Sequence, residues 1–334
     1  MPSFEGGGVE KNLIIIANYF IKKIPNITLI TASKKCKDRF NNKIIFRSPN
    51  NLFWENFGRI PKYFICFFNL FKEFLKNKNF VVFCFQGNLL CIILCKILNI
   101  KIIVRPNSAP AGWVKNNFKR FIFVNILKLA DELVVNSLEF KKEFKKKLNL
   151  ESVCIYNPLN KKEIIKKSKE KIDLKFYKKG HLKLINVGRL VDQKDQITIL
   201  KAINLIKNRL NFKLLIIGRG KDKPKLELFI NQNKLSRFVK IIPFQKNPYK
   251  YMNKADLFIL SSKFEGLPNV LLEAQTLKKY IISTNCPTGP KEILSNGSLG
   301  DLIKIQDYRT LAKKLMLFNK NKHKKNINDK INSS

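Results

Sequence analysis

The chain has 334 residues, enough for two domains, and 45% of them are hydrophobic, which is ample for two buried cores. Its 65 Lys and Arg residues outnumber 24 Asp and Glu residues, so the formal net charge is +41. This charge excludes an acidic or balanced surface and indicates a polyanionic partner: nucleic acid, an anionic membrane face or a phosphorylated substrate. An AT-rich coding sequence, which favours Lys, Asn, Ile and Phe, is an equally good explanation of the composition.

The cysteines and histidines argue against disulfides and metal centres. There are seven Cys, an odd number, and no Cys-x-x-Cys motif. Cys91 and Cys95 are one helical turn apart, but no His is nearby, so core packing is the better interpretation. The only His residues are His181 and His323. These features predict a reduced, cytoplasmic chain without a bound metal.

The most apolar stretch, residues 80–100, is interrupted at 86–88 and is too short to be a convincing membrane span. A strand, a turn and a helix fit it better. The sequence opens without a signal peptide, which agrees with a cytoplasmic location.

The first ten residues form a glycine-rich loop, and a helix is predicted directly after it. Gly7 and Gly8 belong to this loop. A glycine loop that leads into a helix is a device for approaching phosphate. A strand normally precedes such a loop, so we expect that the first strand of this domain is missing or lies upstream.

The rest of the first half alternates strands and helices. The predicted strands are 27–31, 43–47, 80–85, 101–104 and 132–136, and the predicted helices are 11–21, 63–75, 89–98, 118–129 and 139–148. Helix 63–75 is rich in Phe and has basic ends; a core helix is the favoured interpretation, and an amphipathic face that touches membrane is the alternative. Polar residues in the loops after two strands are ligand candidates: Asn88, Arg105, Asn107 and Ser108.

A charged segment, 161–180, is predicted as a linker, and the second half then alternates regularly. The predicted strands are 183–187, 213–217, 239–243, 257–260, 280–283 and 301–305. The predicted helices are 195–207, 224–234, 248–253, 268–278, 289–295 and 308–318. This pattern predicts a doubly wound parallel sheet, and the Lys- and Asn-rich tail 319–334 is expected to fray.

Residues at the strand ends of the second half suit a nucleotide. Arg189 and Lys194, after Gly188, offer cations to a diphosphate. Gly218 permits close approach of a ligand, and Phe244 presents a ring edge to a base.

The segment 264–274 organises the second half, since a strand precedes it and a helix follows it. Glu265 lies in the loop, and Glu273 lies about one turn into the helix. Amides at a helix start favour phosphate, and a carboxylate a turn away can accept hydrogen bonds from a ribose diol. Two glutamates at this spacing are by themselves more often solvated surface residues. The prediction of a nucleotide site therefore depends on the neighbouring motifs.

These motifs together resemble those of retaining GT-B glycosyltransferases of the "glycosyl transferases group 1" type (glycosyltransferase family 4-like). The matching stretches are 187–194, 216–220, 255–261, 264–274 and 286–292, with looser matches at 6–10 and 155–158. The resemblance implies an α/β fold with two Rossmann-like domains facing a central cleft. It implies an acceptor-binding domain over 1–160 and a nucleotide-sugar-binding domain over 181–318.

The resemblance also implies roles for individual residues. Arg189 and Lys194 would hold the donor diphosphate, Glu273 the ribose hydroxyls, and Glu265 the donor sugar. The loop and helix start would frame the phosphate through Gly266, Leu267, Pro268, Asn269 and Val270. Catalysis is then assigned to Glu265, Arg189 and Lys194, with no metal and no cofactor, because the nucleotide-sugar is a co-substrate. The family's first-domain His is lacking, since residues 1–180 contain no His.

The expected activity is hexosyl or N-acetylhexosaminyl transfer from a UDP-sugar to a lipid-linked glycan, lipopolysaccharide or polysaccharide, on the inner face of the cytoplasmic membrane. The partners would be the donor, the glycan or glycolipid acceptor and an anionic membrane surface. A GT-B epimerase or phosphorylase and an inactive truncated remnant are alternatives. Nucleic-acid binding is disfavoured because no helix-turn-helix, zinc-finger or RNA-binding motif is visible.

Overall fold

The computed structural model describes residues 1–2, 4, 7–35, 37–49, 54, 57–86, 88–107 and 117–331. The chain divides into two compact units, Met1–Leu159 and Asn160–Ser334. We call them unit 1 and unit 2.

Unit 1 alternates strands and helices as its sequence predicts. Its elements are α1 Gly8–Phe20, β1 Thr28–Ile30, β2 Ile45–Arg47, α2 Arg59–Lys76, β3 Val81–Cys84, α3 Asn88–Ile97, β4 Lys101–Val104, α4 Asn117–Lys128, β5 Glu132–Val135, α5 Leu138–Glu143 and β6 Val153–Cys154. The predicted helix 139–148 is α5 followed by a π-helical turn, Phe144–Leu148.

The strands of unit 1 form two parallel sheets among the described residues. One has the order β1-β2 and the other β3-β4-β5-β6. The Met1 amino group donates to the Ile30 carbonyl at 2.7 Å, and the Ala32 N–H donates to the Pro2 carbonyl at 3.1 Å. The first two residues therefore lie alongside the end of β1.

Unit 2 contains the more regular half of the chain. Its elements are α6 Lys161–Ser168, β7 Leu182–Val187, α7 Gln196–Ile206, β8 Phe212–Ile217, α8 Lys223–Gln232, β9 Val239–Ile242, α9 Tyr249–Lys254, β10 Leu257–Leu260, α10 Asn269–Thr276, β11 Tyr280–Thr284, α11 Pro290–Ile293, β12 Asp301–Ile303 and α12 Tyr308–Ile331.

The six strands of unit 2 form one parallel sheet of order β12-β11-β10-β7-β8-β9. Every residue of β10 is buried, as expected of a strand that helices cover on both faces. The chain moves outward in one direction from β7 to β9 and in the other from β10 to β12. This is the doubly wound arrangement that the sequence predicts.

Two terminal segments of unit 2 differ from their predictions. The segment predicted as a linker contains α6, which is held to α9 because the Asn253 side chain donates to the Ser168 carbonyl at 3.2 Å. The tail predicted to fray is helical through Ile331 as part of α12. Lys322 in this tail forms an ion pair with Asp256 at 2.7 Å, which ties the added turns to the start of β10. No helix in the described ranges is long and apolar enough to span a bilayer.

Candidate functional site

The candidate site of unit 2 lies where the strand order reverses, between β7 and β10. These strands pair in parallel, with Leu257 opposite Leu184 and Phe258 opposite Ile185. The loops that leave their carboxyl ends therefore lie side by side. An open α/β sheet binds its ligand at such a point, because the helices turn to opposite faces there and leave a crevice.

A buried ion pair joins these two loops. The Lys194 ammonium donates to Glu265 Oε1 at 2.5 Å, and the side chains are 16% and 7% exposed. Ser261 Oγ donates to the Lys194 carbonyl at 2.8 Å, which attaches the first loop to the end of β10. The attraction is strong because little water screens it. Two residues that are 71 positions apart thus meet directly.

The Glu265 loop is held by further hydrogen bonds. Ser262 Oγ donates to Glu265 Oε1 at 2.6 Å, and Thr288 Oγ1 donates to the Glu265 carbonyl at 2.6 Å. The Glu265 N–H donates to the Pro287 carbonyl at 3.2 Å. Burial and the Glu265 carboxylate raise the pKa of the nearby Cys286 thiol to about 12. Glu265 is therefore a fixed hydrogen-bond acceptor at the edge of the sheet.

Arg189 belongs to the loop after β7 and is exposed. Its Nη2 donates to Gln193 Oε1 at 3.1 Å, and Gln193 Nε2 donates to the Phe264 carbonyl at 2.9 Å. Gln196 Nε2 donates to the Arg189 carbonyl at 2.9 Å, which holds the backbone. Gln193 thus links Arg189 to the Glu265 loop. An exposed guanidinium in this position can bind a phosphate with two parallel hydrogen bonds.

Helix α10 begins at Asn269, directly after the Glu265 loop. The predicted helix 268–278 has Pro268 in its first turn, but in the structure Pro268 is the extended residue that precedes the helix. Gly289 packs against this loop with φ +91°, and a Cβ there would lie 2.5 Å from the Gly266 carbonyl oxygen and 3.1 Å from Leu267 Cα. The backbone is therefore close-packed around the helix start, and the positive end of a helix dipole favours an anion.

Glu273 lies on α10, after the half-buried Val270, and is itself buried. Tyr249 Oη donates to Glu273 Oε1 at 3.1 Å. Tyr249 is the first residue of α9. The hydrogen bond orients a carboxylate near the helix start, where a diol could be bound.

Close backbone packing brings the glycine loops of β7 and β8 together. A Cβ at Gly218 would lie 1.9 Å from the Gly188 carbonyl oxygen, and one at Gly220 would lie 2.1 Å from the Leu190 carbonyl oxygen. At Gly188 a Cβ would meet Lys194 Cδ at 3.8 Å, an ordinary contact. Glycine is thus required at Gly218 and Gly220 by backbone packing, not by a ligand alone.

Phe244, in the loop after β9, is 39% exposed. The Arg219 guanidinium lies 5.1 Å from the centre of its ring. Both belong to loops at the carboxyl edge of the sheet. A planar pair of this kind offers stacking surface to an aromatic base.

The first-loop candidates in unit 1 cap helix α1. Gly7 is the residue before the helix, and its N–H donates to the Glu10 carboxylate. Gly8 is the first helical residue and is exposed. Glu10 is buried, so this capping contact occupies the helix start.

Arg105 and Asn107 follow β4, and both donate hydrogen bonds to residues that are distant in sequence. Arg105 is buried, and its Nη2 donates to Asn157 Oδ1 at 2.7 Å and to the Ile155 carbonyl at 3.3 Å. Burial lowers the pKa of Arg105. Asn107 Nδ2 donates to the Phe85 carbonyl at 2.6 Å.

Among the candidates, Asn88 Oδ1 and Arg105 Nε are buried and have no hydrogen-bond partner within the part of the chain that the structure describes. Asn88 is the first residue of α3. Ser108, the remaining candidate, lies outside the described residues.

Sequence reasoning did not identify several residues that hold the site together: Gln193, Tyr249, Ser262 and Thr288. Ser262 could have been found, because it directly follows an apolar strand in a parallel sheet. Gln193 and Thr288 lie within the family-like stretches 187–194 and 286–292 without an assigned role, whereas Tyr249 carries no local signal. Within the described ranges, no group of three or more His, Cys, Asp or Glu residues is arranged to hold a metal ion.

Comparison with known sequences links this site to a family. Residues 166–332 match the profile of the family described as "Glycosyl transferases group 1". An uncharacterized glycosyltransferase of Methanocaldococcus jannaschii is 33% identical over 221 residues, which are 61% of this chain and 53% of that protein. The chain thus spans about half the length of this relative.

A second relative matches over more of its length. It is the GalNAc-alpha-(1->4)-GalNAc-alpha-(1->3)-diNAcBac-PP-undecaprenol alpha-1,4-N-acetyl-D-galactosaminyltransferase of Campylobacter jejuni, 26% identical over 325 residues. The match covers 95% of this chain and 87% of that protein.

Among solved structures, Anabaena Alr3699/HepE in complex with UDP-glucose superposes with a TM-score of 0.76. The match covers 97% of this chain and 89% of that chain at 16% identity. A likeness at this identity shows the shared fold. The predicted α/β fold of GT-B type is therefore confirmed.

Proposed function

Because the chain belongs to the glycosyl transferases group 1 family, we propose that it transfers a sugar from a UDP-sugar to a lipid-linked glycan or a polysaccharide. One observation carries the proposal: the buried Lys194–Glu265 pair lies beside Arg189 and the start of α10 at the reversal of the unit 2 sheet. The names of the Campylobacter relative and of the HepE complex support the acceptor and donor classes.

The donor diphosphate is bound by Arg189, Lys194 and the N–H groups at the start of α10. Arg189 supplies an exposed fork of donors, and Lys194 supplies a cation in a largely dry setting. Together with the helix dipole, these groups neutralise the charge that grows on the leaving diphosphate.

The remainder of the donor is bound by residues that flank this anion site. The Glu273 carboxylate accepts from the ribose hydroxyls, with Tyr249 orienting it through the observed hydrogen bond. Glu265 accepts from hydroxyls of the donor sugar, and Phe244 with Arg219 stacks on the base.

The reaction follows from these contacts. An acceptor hydroxyl oxygen forms a bond to the anomeric carbon, while the bond from that carbon to the β-phosphate oxygen breaks and UDP departs. The hydroxyl proton passes to the departing diphosphate oxygen on the same face, so the anomeric configuration is retained. Glu265 assists by positioning the sugar rather than by forming a covalent bond.

The acceptor binds unit 1 at the polar edge that holds Asn88, Arg105 and Asn107. The amide groups of Asn88 and Asn107 are of the kind that hydrogen-bond glycan hydroxyls. Because the acceptor is carried by the membrane, the enzyme acts on the inner face of the cytoplasmic membrane. The sugar that it transfers is a hexose or an N-acetylhexosamine.

Replacing Glu273 with alanine tests the donor site. We expect kcat/KM for UDP-sugar to fall about 100-fold or more, since a charged acceptor for two ribose hydroxyls is lost. Release of UDP in the presence of acceptor-containing membranes measures transfer, and calorimetric titration with UDP measures binding.

The matched control is Tyr249→Phe, which removes only the hydrogen bond to Glu273 and should cost about tenfold at most. Undiminished UDP affinity and transfer in folded Glu273→Ala would disprove the assigned site.

The proposed charge neutralisation also predicts that transfer needs no divalent cation. Protein dialysed against EDTA should keep its rate, because Arg189, Lys194 and the α10 amides act on the diphosphate. Loss of activity in EDTA that Mg²⁺ or Mn²⁺ restores would contradict this mechanism.

A further inference from the structure

Helix α2 carries a row of large apolar side chains that face solvent. The exposed members are spaced three or four positions apart: Ile60, Phe64, Phe68, Phe71 and Leu75. Phe64 is 69% exposed and Phe68 is 59% exposed. The other side of the helix is buried through Cys66 and Leu70. The interpretation of this segment as a core helix therefore applies to one side only.

Helices α3 and α4 show the same arrangement. Their exposed apolar residues are Leu90, Ile93, Ile97, Phe118, Phe121 and Ile122. All three helices bury their inner sides in one core, through Leu70, Ile92 and Leu127. Their buried sides thus share one core, and we call their exposed apolar residues together the apolar face of α2–α4.

The apolar face is unlike the rest of the surface. Unit 2 exposes apolar residues on several separate elements, among them Leu205 on α7, Leu228 on α8 and Leu317 on α12. Single exposed apolar residues are ordinary on soluble proteins, whereas a contiguous patch marks an interaction surface.

Positive charge surrounds the apolar face. Helices α2, α3 and α4 contain eight Lys or Arg residues and one acid, Glu73. Glu73 is already paired with Arg47 at 2.7 Å. Lys72 is exposed, and its ammonium lies 4.4 Å from the centre of the Phe68 ring. At this point of α2 a basic group therefore lies directly beside an exposed aromatic ring.

We propose that the apolar face of α2–α4 inserts into the headgroup region of an anionic phospholipid bilayer. Phe and Leu side chains bury among acyl chains, while lysine stems extend their ammonium groups back to lipid phosphates. Pairing of two copies through this face would bring basic helices against basic helices, so charge favours lipid. The inference deepens the proposed function, on which it rests for the membrane acceptor, by naming the surface that meets the membrane.

Co-sedimentation with vesicles tests the proposal. The full chain is mixed with vesicles of phosphatidylglycerol and phosphatidylethanolamine, and separately with vesicles of phosphatidylcholine alone. We expect partition into the anionic vesicles at least tenfold stronger than into the neutral ones, because each basic residue near the surface contributes about fivefold. Added salt should weaken the binding.

Two pairs of variants separate the apolar and charged contributions. The variant Phe64→Ser/Phe68→Ser/Phe71→Ser should lose about 30-fold or more in partition, whereas Leu205→Ser/Leu228→Ser/Leu317→Ser should keep it. Lys72→Gln/Lys119→Gln should bind anionic vesicles about 25-fold less tightly, about fivefold for each charge removed. Lys240→Gln/Lys313→Gln, an exposed pair in unit 2, should have a smaller effect. Circular dichroism confirms that each variant is folded.

Three outcomes would overturn the inference: equal partition into neutral vesicles, full binding by the triple Phe variant, or a dimer in sedimentation velocity that this variant abolishes. The donor site is tested independently in the same samples. If the wild-type chain binds UDP but not vesicles, only the membrane inference is disproved. If Glu273→Ala binds vesicles and keeps full transfer activity, only the assigned donor site is disproved.

Discussion

Replacing Lys194 with alanine is expected to lower kcat by about 10²- to 10³-fold, the usual effect of deleting one preorganised group that stabilises a leaving oxyanion. The Lys194 ammonium lies largely out of water and contacts Glu265 at 2.5 Å. It is therefore a preorganised cation at the point where the strand order reverses, and bulk water cannot take over its role. Steady-state release of UDP measures the loss.

The same substitution should also lower stability, and this effect must be separated from catalysis. Removing one partner of a buried pair leaves Glu265 charged and uncompensated, which costs about 3–5 kcal/mol. The double variant Lys194→Ala/Glu265→Gln removes that stranded charge, so it should unfold at higher urea than Lys194→Ala while remaining inactive.

Lys223→Ala is the matched control for Lys194→Ala. Lys223 forms an exposed pair with Glu227 at 2.7 Å on α8, so its loss should change both activity and stability little. Transfer at the wild-type rate by folded Lys194→Ala would show that the diphosphate binds elsewhere.

The second large effect is expected from Gly218→Ala, which should lower the free energy of unfolding by about 3 kcal/mol or more. The added Cβ would lie 1.9 Å from the Gly188 carbonyl oxygen. Neither backbone can withdraw freely, since the Gly188 N–H donates to the Ile217 carbonyl and the Gly218 N–H donates to the Ile242 carbonyl. Urea denaturation followed by circular dichroism measures the change.

Gly188→Ala serves as the neighbour control, because its Cβ would meet only Lys194 and Gln196 side chains at 3.8–3.9 Å. It should be nearly as stable as the wild type. Equal stability of the two alanine variants would show that the loops after β7 and β8 are not packed as the structure has them.

The alternation of strands and helices in unit 2 could be predicted from local pattern, except for α6, which lies in a segment predicted as a linker. The run Leu257–Leu260 is uniformly apolar because a central parallel strand is covered on both faces. Residues that favour turns separate these apolar runs, so the predicted ends of the strands and helices agree closely with the observed ones. The predicted end of the last helix, at 318, was wrong. The later turns of α12 are anchored by the ion pair between Lys322 and Asp256, and local pattern does not reveal a contact between residues so far apart in sequence.

The candidate site was only partly predictable. Sequence motifs indicated Arg189, Lys194, Glu265 and Glu273, but not that Lys194 and Glu265 form one ion pair. The hydrogen bond from Tyr249 to Glu273 had no local signal, because the two residues lie on different helices. The roles of these residues remain predictions that the variants above test.

The sequence by itself determined the α/β class, the positions of the loops that carry charge, and the family, since these depend on patterns within short stretches of chain. Only the tertiary structure decided which loop residues touch and which side of α2 faces water. The reason is physical: strand order brings together loops far apart in sequence, and an apolar helix face is exposed or buried according to what packs against it. The spacing of apolar residues shows that a helix has an apolar face, and the elements packed around the helix determine whether that face is buried.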